Sequence, residues 1–161
     1  GGGSGAMLAA ILSARSDLRG MVVDQAAVID QARERMTSLG IGDRCAFASA
    51  DFFDSVPDDG DVYVLSRILH DWNDDHCVQI LANCRKAMKS SSRLLIVERL
   101  LPEPNTASLA YEFDVHMMVV APGGRERDVV SYERLLTKAG LADTAVIPLV
   151  FDVSVMVCQP V

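Results

Sequence analysis

Apolar residues in this chain recur with two periods, and the switches between them mark out alternating helices and strands. After the glycine-rich start Gly1–Gly5, the run Ala6–Ala14 predicts a helix. Gly20–Val23 then predicts a short strand ending in Asp24. Ile29, Ala32, Met36 and Leu39 follow helical spacing, with Gly40 as the stop. Cys45–Ala48 reads as a strand leading into Asp51-Phe52-Phe53, and Asp61–Leu65 as a second, buried strand rich in branched aliphatics. Asn73 or Asp74 caps a helix whose apolar face is Cys77, Val78, Leu81, Cys84 and Met88. Arg93–Val97 is almost continuously apolar, as a strand covered on both faces should be.

The remainder repeats the alternation. Pro102–Asn105 is a loop, and Leu109–Val120 a helix carrying Phe113, Met117 and Met118 on its apolar side. Pro122-Gly123-Gly124 breaks the chain before a helix capped by Ser131 and ended by Gly140. Thr144–Val150 and Val153–Cys158 form a closing hairpin around Asp152. Strands alternating with helices predict an α/β fold with helices on both faces of a sheet. No internal repeat appears.

Composition narrows the class. The chain has 161 residues, half of them hydrophobic, enough for one domain with a sizeable core. Its net charge of -7 argues against nucleic acid or an anionic membrane as partner, because both require a basic face. No apolar run approaches the roughly 20 residues that span a bilayer. Cys45, Cys77, Cys84 and Cys158 show no paired spacing, which fits buried thiols in a reduced, cytoplasmic protein.

Candidate chemistry concentrates in Asp61–Trp72, where a strand runs into a turn holding Arg67, His70, Asp71 and Trp72. Ligands of open α/β sheets sit at the carboxyl ends of strands, and a histidine there is placed to move a proton near neutral pH. A loop histidine with a satisfied hydrogen bond is the plainer reading. Glu98 ends the next strand at the same edge, and Glu126 lies between two arginines. Asp74, Asp75, His76 and Cys77 invite a metal reading, but adjacent residues of a helix do not share a face. Gly1–Gly5 is either a flexible linker or a turn feeding a helix whose amino end faces a ligand. Its spacing Gly1-x-Gly3-x-x-Ala6, with Asp24 about 20 residues on, fits a dinucleotide fingerprint, so an NAD-dependent oxidoreductase is one reading. Asp51 with Phe52 suits a base instead, the carboxylate accepting from an amine while the ring covers its flat face.

Three segments in order carry a more specific signal: Leu69-His70-Asp71-Trp72, Asn83-Cys84-Arg85-Lys86-Ala87-Met88, and Gly123-Gly124-Arg125-Glu126-Arg127 ahead of Tyr132-Glu133-Arg134-Leu135-Leu136. With them the chain resembles the S-adenosylmethionine-dependent O-methyltransferases of the caffeate and acetylserotonin type over nearly its whole length. The resemblance implies a Rossmann-like sheet and methyl transfer to a hydroxyl of a small aromatic or polyketide-like acceptor. It implies cofactor contacts at Gly1, Gly3, Asp24, Asp51, Phe52 and Arg67. It implies a catalytic base at His70 bracketed by Glu98 and Glu126, and an acceptor site at Asp71, Met117, Met118 and Ala121, with no metal. It further implies a central strand ahead of the glycines and an amino-terminal helical domain that forms a homodimer. The expectation is therefore that residues 1–161 are a catalytic domain incomplete at its amino terminus. A truncated, non-catalytic interaction module is the remaining alternative.

Overall fold

Gly5 opens the first helix, α1 (Ala6–Ala14), from a left-handed backbone conformation with φ of 72°. A side chain there would be strained by its backbone, and its Cβ would lie 2.8 Å from the methyl carbon of the fully buried Met36. Behind α1 follow β1 (Gly20–Asp24), α2 (Ala26–Ser38) and β2 (Cys45–Ser49). β1 and β2 run parallel, in register from Gly20 opposite Cys45 to Asp24 opposite Ser49. The core beneath them gathers Ala9 and Leu12 of α1, Val22 of β1, and Ile29, Ala32 and Met36 of α2, closed by Ile41 and Cys45. Burying each large aliphatic of that set contributes about 1.5–3 kcal/mol. Arg44 finishes the packing at the end of α1: its guanidinium donates to the carbonyls of Leu12, Arg15 and Leu18 at 2.7, 3.0 and 3.1 Å. Leu12 O lies in the last turn of α1, where carbonyls have no partner within the helix.

All 161 residues are described by this computed structural model, and they form two compact units, Gly1–Val56 and Pro57–Val161. The second unit contains β3 (Val62–Ser66), α3 (Asp74–Ala87), β4 (Arg93–Arg99), α4 (Ala110–Val120), α5 (Val129–Lys138), β5 (Leu141–Pro148) and β6 (Val153–Pro160). Its strand order is β3-β4-β6-β5. β3 and β4 are parallel, joined through α3, whereas β6 runs antiparallel to both β4 and β5. Along β4, Leu94, Ile96 and Glu98 alternate onto one buried face. The period of two therefore carries a carboxylate onto the core side of the sheet. No helix is long and apolar enough to cross a membrane.

Three expectations need correction. Within residues 1–161 β3 pairs only with β4, and Val62 and Val64 are exposed while Leu65 is buried. The buried stripe of α3 runs through Ile80, while Val78 turns aside; at about 100° per residue, Ile80 lies about 60° from Cys77 and Val78 about 100°. Asp128, not Ser131, caps α5: its Oδ1 accepts from the Ser131 N–H at 2.7 Å. Asn73 caps α3 as anticipated, accepting from the His76 N–H at 3.0 Å.

The geometry at Gly5 is directly testable. Gly5→Ala should lower stability by about 2–4 kcal/mol, the sum of a left-handed alanine and an overpacked contact. Urea unfolding should show it, while Gly42→Ala, which meets nothing closer than 3.8 Å, should cost far less.

Candidate active site

The turn Leu69–Asp71 that follows β3 is held from both ends. Glu98, fully buried at the end of β4, turns Oε1 onto the N–H groups of Ile68 and Leu69 at 3.0 and 2.9 Å. On the carbonyl side, buried Arg127 donates to Leu69 O at 3.0 Å and to Trp72 O at 2.7 Å, and to Asp74 Oδ1 at 2.9 Å. The turn cannot shift without breaking charge-assisted hydrogen bonds at one end or the other. Arg67, which leads into it, is held in a left-handed conformation with φ of 57°. Such strain is retained only where the surroundings over-determine the backbone.

His70 sits in this turn, buried, with a carboxylate near each ring nitrogen. Nδ1 is 3.4 Å from Glu126 Oε1, and Nε2 is 3.5 Å from Asp71 Oδ1. Glu126 is buried while the Asp71 side chain is about half exposed, so Nε2 faces the open side. Arg67 Nη1 approaches the same Glu126 oxygen at 3.4 Å. Two contacts place Glu126. Its N–H donates to Asp114 Oδ1 at 2.8 Å, and the Arg125 N–H donates to His70 O at 2.8 Å. Gly124 makes that approach possible, since a Cβ on it would come within 2.9 Å of His70 O.

Charge around the imidazole favours its protonated form. Burial alone would lower the pKa of His70, but the bond to Glu126 and the charges of Glu98 and Asp71 outweigh burial and the opposing Arg67, so the pKa lies above its ordinary value. Burial raises the Glu98 carboxyl, with His70 and Arg67 working against it. One donor atom each from His70, Glu98 and Glu126 lies within 4.8 Å of the others, a grouping that would also admit a metal ion. The Arg67 cation already shares the Glu126 oxygen, which suits proton chemistry better than a second cation.

Beside Glu126 opens a cleft of about 980 Å³, walled by Leu101, Asp114, Met118 and the face of α5. The two methionines expected to share the acceptor site part company: Met117 is buried in the core, and Met118 is exposed at the cleft. Adjacent helical positions point about 100° apart. Ala121 ends α4, its carbonyl accepting from the Gly124 N–H at 2.8 Å.

The first unit carries its own cluster at the carboxyl ends of β1 and β2. Asp24 Oδ2 accepts from the Gly3 N–H at 2.8 Å and Oδ1 from the Gln25 N–H at 2.7 Å. The amino group of Gly1 lies 3.8 Å from Asp24 Oδ2. Asp51 stands two residues beyond Ser49, the register partner of Asp24, with Oδ1 accepting from the Phe53 N–H at 2.9 Å. Phe52 meets Phe53 edge to face. A carboxylate offers about four acceptor positions, so Asp24 keeps capacity for two more donors. The cluster fits a ligand rich in hydroxyl and amine groups. Arg67 belongs to the other unit, where its partner is Glu126.

Three residues of the site escaped sequence reasoning: Asp74, Asp114 and Arg127. Arg127 stood in the sequence only as a neighbour of Glu126, yet both are buried. Asp114 shares its helix with Glu112 and His116, so no local pattern singled it out.

Comparison with known proteins shows the family. Residues 1–142 match the family model of the O-methyltransferase domain, and the chain belongs to that family. It is 40% identical over 161 residues to the phenazine O-methyltransferase PhzM of Lysobacter antibioticus, covering all of this chain and 47% of that protein. It is 44% identical over 155 residues to the 3-amino-4-hydroxybenzoate 4-O-methyltransferase of Streptomyces cremeus, covering 96% of this chain and 42% of the relative. Among solved structures, NcsB1 from neocarzinostatin biosynthesis, in complex with S-adenosylmethionine and 2-hydroxy-5-methyl naphthoic acid, superposes with a TM-score of 0.91 at 34% identity. That match covers all of this chain and 47% of NcsB1. The chain thus spans about half the length of the relatives it matches.

Two outcomes follow from this geometry. Arg127→Met should cost about 2–4 kcal/mol, because it strips charged donors from two buried carbonyls. Arg125→Met breaks only a half-exposed pair with Asp74 and should cost about 0–1 kcal/mol; urea melts of the two variants compare them. For His70 the folded pKa exceeds the unfolded one. Its stabilisation is therefore complete below about pH 6.5, the unfolded value, and is lost as pH rises through the folded value. Melts across that window should show this loss in the parent and not in His70→Gln.

Proposed function

We propose that residues 1–161 form the catalytic domain of an enzyme that transfers a methyl group from S-adenosylmethionine to a hydroxyl oxygen of a small aromatic or polyketide-like acceptor. The observation that carries the proposal is His70, held by a buried carboxylate at Nδ1 with Nε2 toward the open side. A phenol with a pKa of about 10 is a poor nucleophile until its proton leaves. His70 Nε2 takes that proton as the oxygen attacks, a contribution of roughly 10²–10⁴ in rate. Glu126 orients the ring and, with Glu98, stabilises the imidazolium that results.

Gly1, Gly3, Asp24, Asp51 and Phe52 are the residues that would hold the cofactor, Asp24 taking ribose hydroxyls and Asp51 with Phe52 the base. Bound there, S-adenosylmethionine supplies an electrophilic methyl group on a sulfonium. Arg67 pairs with Glu126 through one nitrogen and keeps further N–H donors for the cofactor contact that the resemblance implies. Asp71, beside Nε2, and Met118, at the cleft, meet the acceptor; Met117 supports them from the core. The substrates named for the relatives, a phenazine, an aminohydroxybenzoate and a naphthoic acid, support a flat aromatic acceptor. A nicotinamide enzyme would leave His70, Glu98 and Glu126 without a joint use. The resemblance extends the reading to a cytoplasmic homodimer in the full-length protein.

Single-turnover methyl transfer to a panel of phenols by the full-length protein tests this reading. His70→Gln should lose about 10²–10⁴ in rate with cofactor affinity unchanged. Asp24→Ala should instead weaken S-adenosylmethionine binding by about 1–3 kcal/mol in calorimetry. Tight binding of NAD with none of S-adenosylmethionine would overturn the proposal, as would full activity of His70→Gln.

A further inference from the structure

The trio His70, Glu98 and Glu126 has coordinating capacity that proton transfer leaves unused. One donor atom from each lies within 4.8 Å of the other two, and all three residues are buried. Glu98 is 0% and Glu126 2% exposed, yet Oε2 of each has no hydrogen-bond partner. Buried polar atoms are paired in the great majority of cases. Two free carboxylate oxygens beside an imidazole point to a ligand of opposite charge.

The spacing narrows the kind of ligand. A four-coordinate ion with bonds of about 2.0–2.1 Å to nitrogen and oxygen sets its ligands about 3.3–3.4 Å apart. Nδ1 of His70 and Oε1 of Glu126 already stand 3.4 Å apart, long for a hydrogen bond and right for two ligands of one ion. An imidazole with carboxylates suits Zn²⁺ and similar divalent ions. Mg²⁺ and Ca²⁺ take more ligands, all of them oxygens, and the trio brings no thiolate for a softer ion. Glu98 is already oriented as a ligand, because the Ile68 and Leu69 N–H groups fix its Oε1.

Charge sets the terms of binding. Two carboxylates balance one divalent ion. Arg67, 3.4 Å from Glu126 Oε1, opposes it, but that side chain is 36% exposed and can withdraw into solvent. Such opposition suits an ion that comes and goes, not a resident one.

We propose that His70, Glu98 and Glu126 form an inhibitory site for one divalent transition-metal ion, with Zn²⁺ as its type. The inhibition rests on the acid–base reading of His70; the metal site does not. An ion on Nδ1 takes that nitrogen's lone pair, and the single proton of the neutral ring then sits on Nε2. Nε2 is the nitrogen that must receive the acceptor's proton, so the loaded ring is no base. No bond of acceptor or cofactor changes, and removing the ion restores the ring.

Calorimetry with Zn²⁺ on chelator-treated full-length protein tests the site, and the visible absorption of Co²⁺ in its place reports the coordination. One ion should bind at this trio, with the bands of four-coordinate Co²⁺. His70→Gln and Glu126→Gln should each weaken that binding by more than the roughly 10–100-fold that loss of a ligand's outer partner costs. Glu98→Gln should do the same, and the other two variants decide if it does not fold. The remaining histidines of residues 1–161, His76 and His116, are exposed, and replacing both with Gln should leave the affinity in place. Binding that survives His70→Gln would overturn the proposal, as would no binding at all. Methyl transfer should stop as Zn²⁺ is added and return with a chelator; continued transfer by the loaded protein would overturn the inhibition. Binding is read without turnover, so a full-length protein that transfers no methyl group would refute the proposed function and leave the metal result standing.

Discussion

A single buried carboxylate sets the geometry of the second unit. Glu98 continues the core face of β4 after Leu94 and Ile96, and its Oε1 accepts from two successive backbone N–H groups of the turn after β3. Placing a charge in a core costs several kcal/mol unless hydrogen bonds and opposite charge offset it. Here the offset is the turn itself, with the His70 and Arg67 charges beyond it. The requirement works in both directions. The carboxylate needs the turn to satisfy it, and the turn, whose carbonyls are gripped by Arg127, has one place to be.

That arrangement depends on the sheet order. β4 lies between parallel β3 and antiparallel β6, so its carboxyl end is brought beside the carboxyl end of β3. The parallel pair in the first unit does the same for Asp24 and Asp51. Each unit therefore collects its chemistry at the carboxyl ends of parallel strands, the edge at which α/β proteins hold ligands. Acidic side chains dominate both edges. In the first they stand ready to accept from hydroxyls and amines, and in the second they favour a protonated imidazole. Under the proposed function, one class of group serves binding and proton transfer because its partners differ.

Glu126 shows how much of that difference comes from neighbours. Its Oε1 lies equally far from Arg67 and from His70, while its backbone is fixed by Asp114 and by the close pass of Gly124 against His70. A carboxylate shared by a fixed cation and a titrating one does not drift when the imidazole changes charge, because Arg67 holds it in either state. In the role proposed for His70, such a partner keeps the ring aligned through the gain of a proton.

Much of this was readable along the chain, and the physical reason is locality. Helix and strand periods, the Asn73 cap and the stops at Gly40 and Gly140 depend on residues within a turn or two of one another, so the alternation of elements stood in the sequence. The chemistry-bearing residues were visible too, because His70, Asp24 and Asp51 follow strands. Tertiary structure decided what no local pattern encodes. Whether a strand's side chains are covered depends on its neighbours, which is why β3 exposes Val62 and Val64 within residues 1–161 despite a core-like composition. Whether Arg127 meets water or two buried carbonyls depends on a segment 58 residues away in sequence. Met117 and Met118 look alike on paper and divide between core and cleft by rotation about one helix. Tyr132 was an ordinary apolar-face residue until folding buried its hydroxyl. Sequence alone determined which elements form and which residues bring chemistry; only packing decided which of those residues meet, because burial and charge act between segments that the chain itself keeps apart.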